Sequence, residues 1–338
     1  MKKILYLSSL LILINSVICH AQTCDSLLLE SITNPGPFTV SSYDESSGIL
    51  NGVDYSGATI YYPDNYPSNS LPSIVLVPGF MNTESTIQNW GPFLASHGII
   101  TMTIGTNTLV DTHTERRDAL VDAVNSLKSE NQRLQSPLYT KMDTSLFAVG
   151  GFSKGGGGAQ LTPLIMPSIK AVVALYPWLD SPTTSDLNHS VPVIIISGQI
   201  DAIAPPSTHA DVHYALTPST TDKLKYEVAF ASHDPLSGPN GGGGDIGIKV
   251  FSWLQNYLLE DSCYCPIIVS SVNSASSYIT NAVCASTTST NNQLSQQSYK
   301  KQLHKVTDVL GRESKKIKNA TLFYIYNDGT VEKKLIIE

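Results

Sequence analysis

An α/β fold, with a mostly parallel central sheet and helices on both faces, is predicted by three features of the sequence. Apolar runs of strand length alternate with helix-length amphipathic stretches between residues 58 and 259. Some of those runs, such as Ser-Ile-Val-Leu-Val-Pro-Gly at 73–79, lack a polar face, as strands covered on both sides do. Midway, Gly151-Phe152-Ser153-Lys154-Gly155 follows the apolar run Leu146-Phe147-Ala148-Val149-Gly150 and leads through Gly156-Gly157-Gly158 into helix-compatible Ala159-Gln160-Leu161. A G-x-S-x-G between strand and helix is the context of a nucleophile elbow. The turn is so tight that side chains at its flanking positions collide, and it holds the serine in a strained conformation with its hydroxyl outward.

Taken in order, Ala58–Pro63 (Ala-Thr-Ile-Tyr-Tyr-Pro) is predicted as a strand from its β-branched and aromatic content. Ser73–Gly79 and Ile99–Gly105 are the next two strands. Thr112–Leu134 predicts a helix with Leu120, Val121, Val124 and Leu127 on one face and charges opposite. After the elbow strand come Lys170–Pro177, Val191–Gly198 and Tyr226–Ala231. Ile248–Leu259 closes the domain as an amphipathic helix with Trp253 and Leu254 on its buried side. Such sheets bind ligands beyond the carboxyl ends of their strands, where the elbow sets Ser153.

The flanks differ from this body. Residues 1–21 carry Lys2 and Lys3, an apolar run from Ile4 to Ile18 and then Cys19-His20-Ala21, which predicts a secretory signal cleaved after Ala21. The catalytic domain is then expected over 22–265. From Pro266 to Tyr299 no residue is charged and Ser, Thr, Asn and Gln dominate, so 266–302 reads as a linker. In the last block, 303–338, two apolar runs flank Asn327-Asp328-Gly329 and predict a hairpin, a small C-terminal β appendage. Residues 300–338 hold nine Lys/Arg against five Asp/Glu, a net of +4; residues 22–299 hold ten against twenty-three, a net of −13. An acidic body argues against nucleic acid as a partner. Four cysteines remain after the leader: Cys24, Cys263, Cys265 and Cys284. In an exported chain they predict two disulfides, with three possible connectivities.

A serine hydroxyl needs a base, usually histidine, oriented by a carboxylate. On the α/β-hydrolase fold, which the elbow predicts, these follow in the order Ser, Asp/Glu, His. Asp201 is the carboxylate in the loop after 191–198, and His233 the histidine between 226–231 and the closing helix. Asp180 is the second choice for the acid. His97 precedes a strand, at the wrong end of the sheet; His113 and His189 are expected on the surface. His209 and His213, four apart on a predicted helix, have a metal-like spacing without a third ligand nearby. The oxyanion of a tetrahedral intermediate needs two backbone donors. They are expected from Lys154, next to the nucleophile, and from Phe80 in Pro78-Gly79-Phe80.

Several blocks together resemble the bacterial cutinase-like polyester hydrolases, dienelactone hydrolase-like α/β-hydrolases that include the poly(ethylene terephthalate) hydrolases. They are Val77-Pro78-Gly79-Phe80, Trp90-Gly91-Pro92, Ala95-Ser96-His97-Gly98, Thr106-Asn107-Thr108, Gly151 to Gly158, Tyr176-Pro177-Trp178, Asp201-Ala202-Ile203-Ala204-Pro205 and Ser232-His233. The resemblance spans about residues 34–266. It implies a catalytic Ser153, Asp201 and His233, an oxyanion hole from Phe80 and Lys154, and an open cleft without a lid. In that cleft Phe80, Lys154, Trp178 and Ile203 would bind the substrate, Phe80 and Trp178 gripping the acyl group and Ile203 lining the floor. Three positions depart from the family's pattern: Lys154 stands where Met is usual, Phe80 where Tyr is usual, and the residue after the histidine is the charged Asp234. A Lys154–Asp234 pair across the cleft is one expected consequence. The tail, with Val306-Thr307-Asp308-Val309-Leu310-Gly311-Arg312 and Phe323 to Val331, is similar to C-terminal sorting domains of the type IX secretion pathway of Bacteroidetes. That similarity implies secretion machinery as a partner, and an extracellular or cell-surface location.

The sequence thus predicts a secreted, monomeric serine esterase acting on polyesters or acyl esters, with no metal or organic cofactor. A lipase or short-chain carboxylesterase is the alternative among enzymes. A surface-binding module on a catalytically dead hydrolase scaffold is the alternative from another class.

Overall fold

The computed structural model describes Cys24, residues 28–234, 236, 238–284, 303–308, 312, 321–326 and 331–335. The expected leader, 1–21, lies outside the described residues. Two compact units divide the chain, Met1–Ser286 and Thr287–Glu338.

Among the described residues of the first unit, nine strands form one sheet. They are β1 (Val40–Asp44), β2 (Ala58–Pro63), β3 (Leu71–Val77), β4 (Ile100–Ile104), β5 (Met142–Phe152), β6 (Ala171–Leu175), β7 (Val193–Gly198), β8 (Lys223–Val228) and β9 (Ala275–Thr280). Their spatial order is β1-β2-β4-β3-β5-β6-β7-β8-β9. The strands from β4 to β8 in that order run parallel. Antiparallel pairing adds β2 and β1 at one edge and β9 at the other. The chain leaves β3 for β4 on one side and returns to β5 on the other, so the strand order reverses between β3 and β5. In open α/β sheets that switch point is where ligands bind. Its register pairs Val77 with Gly151, which brings the loop after β3 level with the elbow.

Side chains alternate between the two faces with the period of two that strands impose. Ile74 and Leu76 of β3, Ala148 and Phe152 of β5, and Ile194 and Ile196 of β7 pack with α1 (Trp90–Ala95) and α5 (Asp245–Leu258). Their neighbours Val75, Val77, Val149, Val193 and Ile195 pack on the opposite face with α2 (His113–Glu130). Ala159 of α3 (Lys154–Ile165) and Ala210 of α4 (Ala210–Leu216) join that second cluster. Both faces are dry, which is why the parallel strands read as continuous apolar runs. Trp253 and Leu254 of α5 are fully buried, as its amphipathic pattern predicts.

The start of α3 lies directly on the end of β3. A Cβ at Gly155 would stand 2.5 Å from the carbonyl oxygens of both Val77 and Pro78. Gly155→Ala is therefore expected to destabilise the fold by about 1–3 kcal/mol, the range of overpacking changes, which thermal unfolding of the variant checks.

Composition ends the catalytic domain at 265, but the compact unit runs on to Ser286. Part of the expected linker is folded: α6 (Cys265–Val269) buries Ile268, and β9 pairs with β8. Ser, Thr and Asn suit an edge strand because one of its sides faces solvent, so lack of charge does not mark a linker here. Residues 285–302 lie outside the described residues. The disulfides are Cys24–Cys263 and Cys265–Cys284. In the second unit β10 (Leu303–Thr307), β11 (Thr321–Tyr326) and β12 (Val331–Leu335) form an antiparallel sheet in that order. The expected hairpin is β11–β12, while its turn at Asn327-Asp328-Gly329 lies outside the described residues.

Candidate active site

Ser153 closes β5 and caps α3 with φ 55° and ψ −121°. A non-glycine residue there stores about 1–3 kcal/mol of strain and persists only where its surroundings over-determine it. Here they do. Ser153 N–H donates to Leu175 O of β6 at 2.9 Å, and Ser153 O accepts from Gly157 N–H at 3.0 Å and from Trp178 N–H at 2.9 Å. The serine backbone is thus tied at once to the next strand, the helix and the loop carrying Trp178.

Asp201 and His233 come from the loops after β7 and β8 and meet. Asp201 Oδ2 lies 2.6 Å from His233 Nδ1, and Asp201 Oδ1 accepts from the N–H groups of Ile203 and Ala204, each at 2.8 Å. Burial raises the carboxyl's proton affinity, but these hydrogen bonds, led by the one from His233, outweigh it and hold Asp201 below the ordinary carboxylate range. The His233 ring packs 4.7 Å from that of Phe152, the residue before Ser153. No hydrogen bond from Ser153 Oγ to His233 is formed among the described residues; in ligand-free sites such bonds are often long and tighten when substrate arrives.

The loop after β3 lies against Ser153. A Cβ on Gly79 would stand 2.8 Å from Ser153 Cβ, so only glycine lets this backbone come so close. Phe80 N–H has no hydrogen-bond partner among the described residues. Lys154 N–H opens α3, ahead of its first bond, Gly157 N–H to Ser153 O, and so belongs to the donors a helix leaves free.

The expected substrate-binding side chains border this site. Phe80 is 46% exposed and Ile203 59%, large fractions for side chains of their size. Lys154 Nζ lies 4.9 Å from the centre of the Phe80 ring, a cation–π contact between the two residues expected to supply the oxyanion donors. Trp178 packs on His209 with ring centres 4.2 Å apart, and its indole N–H donates to Asp180 Oδ1 at 2.7 Å.

Asp180, the second choice for the acid, is placed with other partners. Trp178 holds its carboxyl below the ordinary range, helped by Lys154 3.9 Å away and His113 at 3.6 Å. The ion-pair partner of Lys154 is Asp180 rather than the expected Asp234. His189 is buried, not on the surface, and burial lowers its pKa to about 4. His209 and His213 stand with ring centres 6.0 Å apart, and among the described residues no third His, Cys, Asp or Glu joins them.

Arg116 escapes any reading of the sequence. It sits in Glu115-Arg116-Arg117-Asp118, a run that resembles the solvated face of a helix. Instead it is fully buried, one turn into α2, whose start is set by a capping box. Glu115 N–H donates to Thr112 Oγ1 at 3.2 Å and Thr112 N–H to Glu115 Oε2 at 2.7 Å. The guanidinium donates to Pro78 O (3.1 Å), Gly79 O (2.8 Å), Asp111 O (2.8 Å) and Leu109 O (3.3 Å). Burial lowers its pKa to about 10, which leaves it charged at neutral pH. The Thr-x-x-Glu signature was the one local hint of where this helix begins.

Comparison with known proteins supplies a lineage for this geometry. The model of the PET hydrolase-like family matches residues 25–286. Cutinase est1 of Thermobifida alba is 34% identical over 229 residues, covering 68% of this chain and 73% of its own. Cutinase 1 of Thermobifida cellulosilytica is 34% identical over 237 residues, 70% of this chain and 85% of its own. A bis(hydroxyethyl) terephthalate hydrolase of Streptomyces coelicolor is 32% identical over 236 residues, 69% and 72% of the two chains.

Proposed function

Since the chain belongs to the PET hydrolase-like family and is a carboxylic-ester hydrolase, we propose that it cleaves polyesters as a serine esterase, through an acyl-serine intermediate. Ser153 Oγ attacks the ester carbonyl while His233 takes its proton. The collapsing tetrahedral adduct releases the alcohol, which receives that proton, and leaves the acyl group on Ser153. Water then attacks the acyl-enzyme with His233 again as base, and the acid departs. Asp201 holds the imidazole with Nδ1–H toward its carboxylate, and the N–H groups of Phe80 and Lys154 receive the oxyanion. The largely shielded Asp201–His233 hydrogen bond, beside a strained serine, carries this reading.

A polymer as substrate is supported by the border of the site. Phe80, Met81, Leu109, Val110, Ile203 and Phe230 are all exposed large apolar residues from loops beyond the carboxyl ends of β3, β4, β7 and β8. Exposed apolar side chains gathered at one end of a sheet are the material of a binding face, and aromatic walls suit a flat or extended chain segment. The leader-like residues 1–21 and the two disulfides support an extracellular location. The tail similarity supports export by the type IX route, with the tail removed or used for surface attachment. The enzyme is proposed to act as a monomer.

The test is soluble product released from an amorphous aromatic polyester film, beside hydrolysis of a short-chain p-nitrophenyl ester and labelling by a fluorophosphonate. Cleavage of both substrates with labelling is the expected result. Cleavage of the small ester alone would reassign the enzyme as a lipase or short-chain carboxylesterase. No cleavage and no labelling would leave a surface-binding module.

A further inference from the structure

We propose that Arg116 is a positioning residue for the reaction: its buried guanidinium aims and polarises the Phe80 N–H that receives the oxyanion. The inference rests on the serine-esterase reading above, but its observations are separate.

The peptide joining Gly79 to Phe80 is trans, so its C=O and N–H point in opposite directions in one plane. Arg116 Nη2 holds Gly79 O at 2.8 Å, and Nε of the same rigid fork holds Pro78 O at 3.1 Å. Two successive carbonyls gripped by one planar group leave the peptide no freedom to rotate. Phe80 N–H therefore points away from the guanidinium, and it has no partner among the described residues. The other two carbonyls on Arg116, of Leu109 and Asp111, lie in the segment after β4. Leu109 O also accepts from Met81 N–H at 2.8 Å, so the residues on both sides of Phe80 are tied to one hub.

The same contact acts on the strength of the donor. A cationic hydrogen bond to a peptide oxygen draws electron density from the nitrogen and makes its N–H a better donor. In a dry interior that polarisation is little screened. A neutral residue of the same size would fill the space without supplying either effect.

Arg116→Lys and Arg116→Met, checked for folding by near-UV circular dichroism and melting, provide the test on a short-chain p-nitrophenyl ester. Binding of a boronic acid, whose tetrahedral adduct on Ser153 places an oxygen in the oxyanion site, is measured in parallel. Lysine keeps the charge but has no fork to grip both carbonyls. The expected result is a kcat lower by about tenfold in Arg116→Lys and about a hundredfold in Arg116→Met, no more than the lower end of the loss from deleting a donor outright. KM stays within about twofold, and boronate affinity falls in step with kcat. A merely structural arginine would alter melting without that parallel. Folded Arg116→Lys with wild-type kcat, a loss carried by KM, or failure of both variants to fold would each overturn the proposal. A wild-type protein inactive on the ester would instead overturn the esterase reading beneath it.

Discussion

Ser153→Ala is expected to lower kcat on any ester by about 10⁴–10⁶-fold while leaving KM within a few fold. The range is about that of deleting single triad members in a serine protease, where the residual rate comes from the oxyanion site and from binding alone. The backbone should survive, because Leu175 O, Gly157 N–H and Trp178 N–H hold residue 153 through main-chain atoms that alanine retains. Loss of turnover should therefore come without loss of structure, and melting beside steady-state kinetics separates the two. Fluorophosphonate labelling should vanish as well. A variant that kept more than about a hundredth of wild-type turnover would require a nucleophile other than Ser153.

Asp201→Asn is expected to lower kcat by about 10³–10⁴-fold, the scale set by holding the base in the wrong tautomer. The carboxylate accepts from His233, Ile203 and Ala204 together. An amide cannot replace it: if its oxygen serves the two backbone N–H groups, its NH₂ faces His233 Nδ1, and the ring must carry its proton on the other nitrogen. The pH dependence of stability gives a second check. Asp201 is held below the ordinary carboxylate value of about 3.9 by its hydrogen bonds. The stability it contributes is thus present above that value and lost as pH falls through the lowered one. The difference in Tm between wild type and Asp201→Asn should shrink as pH falls from about 6 toward 3. A difference that grew toward acid would contradict the ionised, hydrogen-bonded carboxylate.

How legible each part was depended on the range of the interaction that decides it. The elbow is settled within five residues by sterics, so glycines around a serine between strand and helix announce it. Asp201 and His233, which a hydrogen bond joins, could be paired in advance because each follows a strand whose apolar run is obvious, and the chain order of the proposed triad restricted the choice. Partners decided by tertiary packing were not legible. Lys154 meets Asp180 rather than Asp234 because the Trp178 loop folds back on the Ser153 backbone, a contact 25 residues away in sequence. His189 gave no sign of burial, since a histidine between turn and strand looks the same whether covered or not. Arg116 was hidden for the opposite reason: its neighbours are charged, and nothing in a helical charge run tells which member turns inward. Cys263 and Cys265 left the pairing open because two cysteines one residue apart can each reach either partner.

The edge strand β9 decides where this enzyme can be shortened. A chain stopped at residue 265, where the composition changes, would lose the antiparallel edge partner of β8. It would also lose Cys284 and with it the Cys265–Cys284 bridge. The exposed rim of β8 would then offer unpaired backbone groups to a second molecule, the situation in which sheets stick edge to edge. Because the loop leaving β8 carries His233, the same cut would loosen the support of the proposed general base. A usable catalytic fragment therefore extends past Cys284, into the segment that by composition alone looks dispensable.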